Sequence, residues 1–189
     1  MTAWKLPTSL TIGGVVFRIR TDFRDILNIL NAFNDPVLKD WMKIEIMLKI
    51  LFIDYSMLTE ENILEAVQKG KEFIDYGKEK KSQMKTMDWE QDAQMIVAEI
   101  NKVSNVQDIR MVEYMHWWTF LGYYMGIGDG LYSQVLNIRT KKLQGKKLEK
   151  WESEFYRKNK DIIDIKPKVS EEDKELRAIE QKAVDDLFY

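Results

Sequence analysis

The spacing of apolar side chains changes period near Thr21, dividing the chain into a short β-rich opening and a long helical remainder. Residues 10–20 read Leu-Thr-Ile-Gly-Gly-Val-Val-Phe-Arg-Ile-Arg. Val15, Phe17 and Ile19 alternate with Val16, Arg18 and Arg20, so one face is the more apolar. Gly13-Gly14 between the two runs can take the positive φ values of a two-residue hairpin turn. A lone hairpin is marginal in water, so this one must pack on helices of its own domain or pair with a partner's strand.

Beyond Thr21 the apolar positions recur every three or four residues. Asp22 is placed to cap a helix carrying Phe23, Ile26, Leu27 and Leu30. Asp35 followed by Pro36 predicts the start of a second helix, running through Trp41, Leu48 and Leu51 to about Asp54. Thr59 caps a third, with Ile63, Leu64, Val67 and Ile74 on its apolar side. A lysine-rich break covers Gly77 to Thr86. Asp88 with Gln91 forms a capping box ahead of Ala93, Ile96, Val97 and Ile100. Asp108 opens a further helix whose 113–122 stretch is bulky and apolar nearly all round, as in a helix surrounded by others. Leu131 to Leu143 makes the next, ending at Gly145, and a short one spans about Leu148 to Asn159. After Pro167, Ser170 with Asp173 three residues on is placed to cap a last, charged helix.

The reading is therefore mainly α: a single-domain bundle of about seven or eight helices with an N-terminal β-hairpin at about 8–20. Residues 1–165 form the helical domain, and 166–189 an acidic amphipathic tail. Composition agrees, because 45% apolar and 32% charged residues are ordinary for a folded chain of 189, and three prolines and nine glycines leave room for long helices. With no cysteine, disulfides and thiolate chemistry are excluded, which fits a reducing compartment. The start, Met-Thr-Ala-Trp-Lys, has no secretory pattern. The most apolar stretch, Met111 to Ile127, is too short to span a bilayer and contains Glu113 and His116. A cytoplasmic protein without membrane contact is expected.

Candidate chemistry is sparse. His116 is the one histidine, so zinc sets and most nucleophile–histidine arrangements lack parts, and a hydrogen-bonded core role is expected. Gly126-Ile-Gly-Asp-Gly130 follows a helix rather than a strand and has no lysine to complete a phosphate loop, so it reads as a helix–helix turn. The acidic clusters at 88–92 and 60–61 fall in helix first turns, where carboxylates complement the helix dipole. No enzyme and no cofactor is expected.

Binding is better supported. Residues 139–160 hold nine basic side chains against three acidic ones, and 161–189 hold five basic against nine acidic. The basic stretch can contact nucleic-acid phosphates through Arg139, Lys141, Lys142, Lys146 and Lys147, form a solvated helix face, or dock the acidic tail that follows it. The tail places Leu176, Ile179, Ala183, Leu187 and Phe188 on one stripe that needs a groove, in its own domain or in a neighbour. Ten methionines suit either core filling or an adaptable binding surface.

Several segments together resemble the gene-product-fifteen family of tailed bacteriophages and prophages. They are Thr21-Asp-Phe-Arg24, Met87-Asp-Trp-Glu-Gln-Asp-Ala93, Glu113-Tyr-Met-His-Trp-Trp-Thr-Phe-Leu-Gly122 and Ile138-Arg-Thr-Lys-Lys-Leu-Gln-Gly-Lys-Lys-Leu-Glu-Lys-Trp-Glu152. The resemblance reaches to about Asp164 and is weaker beyond Lys166. It implies a morphogenesis protein whose gene lies between those of the major tail protein and the tape measure, the usual place of a tail assembly chaperone. The implied partners are the tape measure protein and the major tail protein, with a homo-oligomer as a further option. A nucleic-acid-binding regulator and a structural tail component are the alternatives, nucleic acid ranking below the protein partners.

Overall fold

A computed structural model gives the structure of the chain, and it describes residues 4–76 and 86–166. The hairpin forms as its sequence predicts. Strands β1 (Ser9–Ile12) and β2 (Val15–Arg18) pair antiparallel with Leu10 opposite Phe17 and Ile12 opposite Val15. Gly13 and Gly14 take φ of 55° and 79°, values that side-chain-bearing residues adopt only under strain. Leu10, Ile12 and Phe17 point into the core. The hairpin packs within its own chain. The Gly13 N–H donates to Glu65 Oε2 at 2.9 Å, and Arg18 holds Asp54 at 2.7 Å.

Eight α-helices follow among the described residues. Helix α1 (Phe23–Phe33) starts where expected, with Asp22 accepting the Arg24 N–H at 3.0 Å. Helix α2 (Asp40–Leu51) is shorter than its apolar pattern at both ends. Asp35 Oδ1 accepts the Val37 N–H at 2.8 Å and closes a local turn, so Pro36 does not open the helix. At the far end the Ile53 N–H donates to the Arg18 carbonyl and Phe52 bridges Ile19, drawing these residues onto the edge of β2.

Ahead of helix α3 (Ile63–Ile74) the Thr59 N–H donates to Asn62 Oδ1, and the Thr59 hydroxyl does not cap the helix. Ahead of α4 (Ala93–Ser104), Asp88 Oδ1 accepts from Glu90 and Gln91 N–H, but the Asp88 N–H donates to Asp92 Oδ2 and not to the Gln91 side chain. Asp108 caps only a 3-10 turn, Ile109–Met111. Helix α5 (Trp117–Met125) begins later because the backbone at Met115 and Trp117 pairs with Phe23 and Thr21, which keeps that segment extended.

Helix α6 (Leu131–Leu143) has the predicted bounds. It ends in a Schellman turn: Lys146 N–H bonds to the Lys141 carbonyl, Gly145 N–H to Lys142, and Gly145 sits at φ 65°. The expected helix from 148 becomes α7 (Lys150–Lys158) and a short α8 (Lys160–Ile163), with Glu149 and Glu152 forming a reciprocal capping box. The lysine-rich residues 77–85 and the helix expected from Ser170 lie outside the described residues.

Packing divides the core. The larger cluster joins the hairpin and α1–α5, with Ile26, Ile29, Met47, Leu51, Phe52, Ile100 and Trp117 among its buried members. A smaller cluster gathers Val135 and Ile138 of α6 with Ile163 of α8, flanked by Leu148, Phe155 and Tyr156. Met95 touches both. No helix among the described residues is long and apolar enough to cross a membrane.

Candidate functional site

The polar and aromatic residues singled out in the sequence meet at two junctions. At the first, the start of α1 meets the start of α5. Asp22 caps α1 with one carboxylate oxygen, while the other accepts the Met115 N–H at 3.1 Å. The Thr21 and Tyr114 hydroxyls are 2.7 Å apart, and an Arg24 N–H donates to the Val112 carbonyl. Phe23 stacks on Phe120 at 4.7 Å between ring centres.

His116 is 3% exposed and caps α5. Its Nδ1 accepts the Trp118 N–H at 3.0 Å, which leaves the proton on Nε2, 2.9 Å from the Pro7 carbonyl. Both ring nitrogens are thus engaged, so the histidine holds an N-terminal segment to a helix start. The two tryptophans after it reach the far end of α3. Trp117 Nε1–H donates to the Ile74 carbonyl and Trp118 Nε1–H to the Phe73 carbonyl, each at 2.9 Å. Both carbonyls stand in the last turn of α3; the Phe73 carbonyl also accepts the Tyr76 N–H at 3.3 Å, and the indoles tie this helix end to the start of α5.

The second junction is the buried pair Arg139–Asp92. Arg139 is 4% exposed and Asp92 fully buried. The guanidinium grips both carboxylate oxygens, at 2.7 and 2.8 Å. Its remaining N–H groups donate to the carbonyls of Thr86 (3.2 Å), Ile162 (2.8 Å) and Ile163 (2.6 Å). Gln91 strengthens the same seam, donating to the Asp164 carbonyl and accepting the Lys166 N–H. The Tyr124 and Tyr132 hydroxyls lie 2.9 Å apart nearby, and burial pushes both phenols above their ordinary range, so they act as neutral hydrogen-bond partners.

Arg139 therefore needs correcting: it opens the basic run in sequence but is enclosed in the fold. Lys141 is bound to Glu152 at 2.6 Å, and its hydrogen bond holds that carboxyl below the usual range. Lys142 pairs with Asp164 at 2.7 Å and lies over the Tyr156 ring. Lys146 and Lys147 are exposed in the α6–α7 connection. Leu176, Ile179, Leu187 and Phe188 lie outside the described residues. The acidic cluster at 88–92 lies ahead of α4 rather than in its first turn, and Asp92 is the counter-charge of Arg139; Glu60 and Glu61 likewise precede α3 and are solvent-exposed. Gly126 to Gly130 joins α5 to α6 as a turn.

Sequence reasoning passed over the partners Asp92, Glu152 and Asp164. One signal was available: Arg139 stands four residues after Val135 and seven after Tyr132, on the buried stripe of α6. The surface has its own pattern. Val15, Val16, Ile53, Met57 and Leu64 are exposed on β2, its paired edge, the approach to α3 and the first turn of α3. Of the methionines, Met47 is enclosed, Met42, Met87, Met95 and Met115 are half-buried, and Met57, Met111 and Met125 face solvent.

Residues 3–165 match the family model described as Bacteriophage Gp15 protein. No curated protein and no solved structure matches the chain.

Proposed function

We propose a role for a chain that belongs to the bacteriophage Gp15 protein family: that of a tail assembly chaperone. It is a phage protein, and in this reading it is not an enzyme. It binds apolar helical segments of the tape measure protein in the bacterial host cytoplasm and keeps them soluble until tail-tube subunits polymerise around them. The family match carries the reading, because the genes of the resembled family lie beside that of the tape measure.

The surface supports it. Val16 at 63% and Leu64 at 79% exposure, with Val15, Ile53 and Met57, offer apolar contacts that the chain's own core leaves uncovered. An amphipathic helix docks through such side chains, and an exposed methionine adapts to varied partners. The nucleic-acid alternative loses support at three of its five residues, since Arg139, Lys141 and Lys142 are engaged with acidic groups of the same chain.

The test is co-expression of the tape measure protein with and without this chain, followed by size-exclusion chromatography of the soluble fraction. A soluble complex is expected, and it should diminish for the Val16→Lys, Leu64→Lys variant. A tape measure that is equally soluble alone overturns the role.

A further inference from the structure

We propose that the acidic segment 167–189 docks on α7 of its own chain, in a groove of about 690 Å³ walled by Lys147, Leu148, Lys150 and Arg157. Glu149 and Glu154 also line it, but the Glu149 carboxylate faces the first turn of α7 as its cap and accepts the Trp151 indole N–H at 2.9 Å. Arg139, Lys141 and Lys142 have acidic partners within the fold. Lys147, Lys150 and Arg157 have no ion-pair partner among the described residues, and with Glu154 as the one carboxylate of the groove left unbonded, the face keeps a net positive charge.

The segment supplies the complement. It holds seven acidic against four basic side chains, with Leu176, Ile179, Ala183 and Leu187 at helical spacing to lie over Leu148 and the lysine stems. Its point of departure is close. Asp164 is bonded to the Tyr156 hydroxyl of α7, and the Lys166 N–H is held by Gln91. Residues 167–189 reach about 34 Å as a helix at 1.5 Å per residue, and farther if extended, while α7 has nine residues. A tethered segment meets its own groove at an effective concentration of about millimolar, so at micromolar protein the chain's own tail outcompetes a neighbour's.

Because the chain contains no cysteine, one introduced thiol gives a unique label. A nitroxide at Gln181→Cys should broaden the amide signals of residues 147–157 in the full-length, isotope-labelled protein. The broadening should disappear in Lys147→Glu, Lys150→Glu, Arg157→Glu. It should also disappear in Glu171→Lys, Glu172→Lys, Asp173→Lys, which leaves α7 untouched. Unaffected 147–157 amides overturn the proposal. So does broadening seen only when nitroxide and isotope are on different chains, which would mean docking on a second copy.

Discussion

Arg139 matches all five of its guanidinium N–H groups inside the protein, two to Asp92 and one each to the carbonyls of Thr86, Ile162 and Ile163. Such a pair is not a large net gain over an apolar packing of the same volume, but removing one partner strands the other without water. Asp92→Asn should therefore lower unfolding stability by about 3–5 kcal/mol, read from urea midpoints. Arg139→Lys should also be costly, because an ammonium cannot reproduce the bidentate fork. Lys147→Ala, on the exposed face, should stay within about 0.5 kcal/mol. Equal midpoints for Asp92→Asn and Lys147→Ala would remove the argument. Charge counting along 139–160 could not separate these residues, since Arg139 and Lys147 weigh alike there. Burial separates them, and Asp92 lies 47 positions away in sequence.

Among the elements, those bounded by local chemistry were legible and those bounded by distant contacts were not. Helix α6 has the Gly126–Gly130 turn before it and Gly145 after it, so both ends are written nearby. The hairpin likewise follows from its two glycines. The ends of α2 and the start of α5 are set by backbone bonds to β2 and to Thr21–Phe23, which no local window contains. Gly145 offers a direct check on a locally written end. Its φ is 65° and an added Cβ would meet nothing within 4 Å, so the cost of a side chain is conformational alone. Gly145→Ala should destabilise by about 1 kcal/mol, and Gly145→Asn by less, since asparagine tolerates the left-handed region. Thermal melts that ranked alanine above asparagine would contradict the Schellman reading of this end.

At the scale of the whole molecule, the unequal clusters imply unequal resistance to acid. The hairpin and α1–α5 share a large apolar core, while the smaller cluster of α6–α8 has three buried apolar residues and leans on ion pairs. Lys141 and the Glu149 N–H hold the Glu152 carboxyl below its ordinary range by hydrogen bonding. For Asp164, burial acts in the opposite sense, yet the bonds from Lys142 and Tyr156 outweigh it and the carboxyl is also depressed. A carboxyl depressed in the folded state contributes stability that is fully present above its unfolded value and is lost as pH falls through the folded one. Lowering the pH from about 5 toward 3, across the ordinary carboxylate range, should therefore weaken α7 and α8 before α1 and α2. Hydrogen exchange along that titration should show amides of residues 150–163 losing protection first, while those of 23–33 stay protected. Glu152→Gln should flatten the pH dependence of that early opening, because it removes a titrating group that favours the closed form at neutral pH. Simultaneous loss of protection in both regions would mean that Arg139 and Met95 couple the two clusters into one cooperative unit, and the polar seam would then bind the fold as tightly as its core.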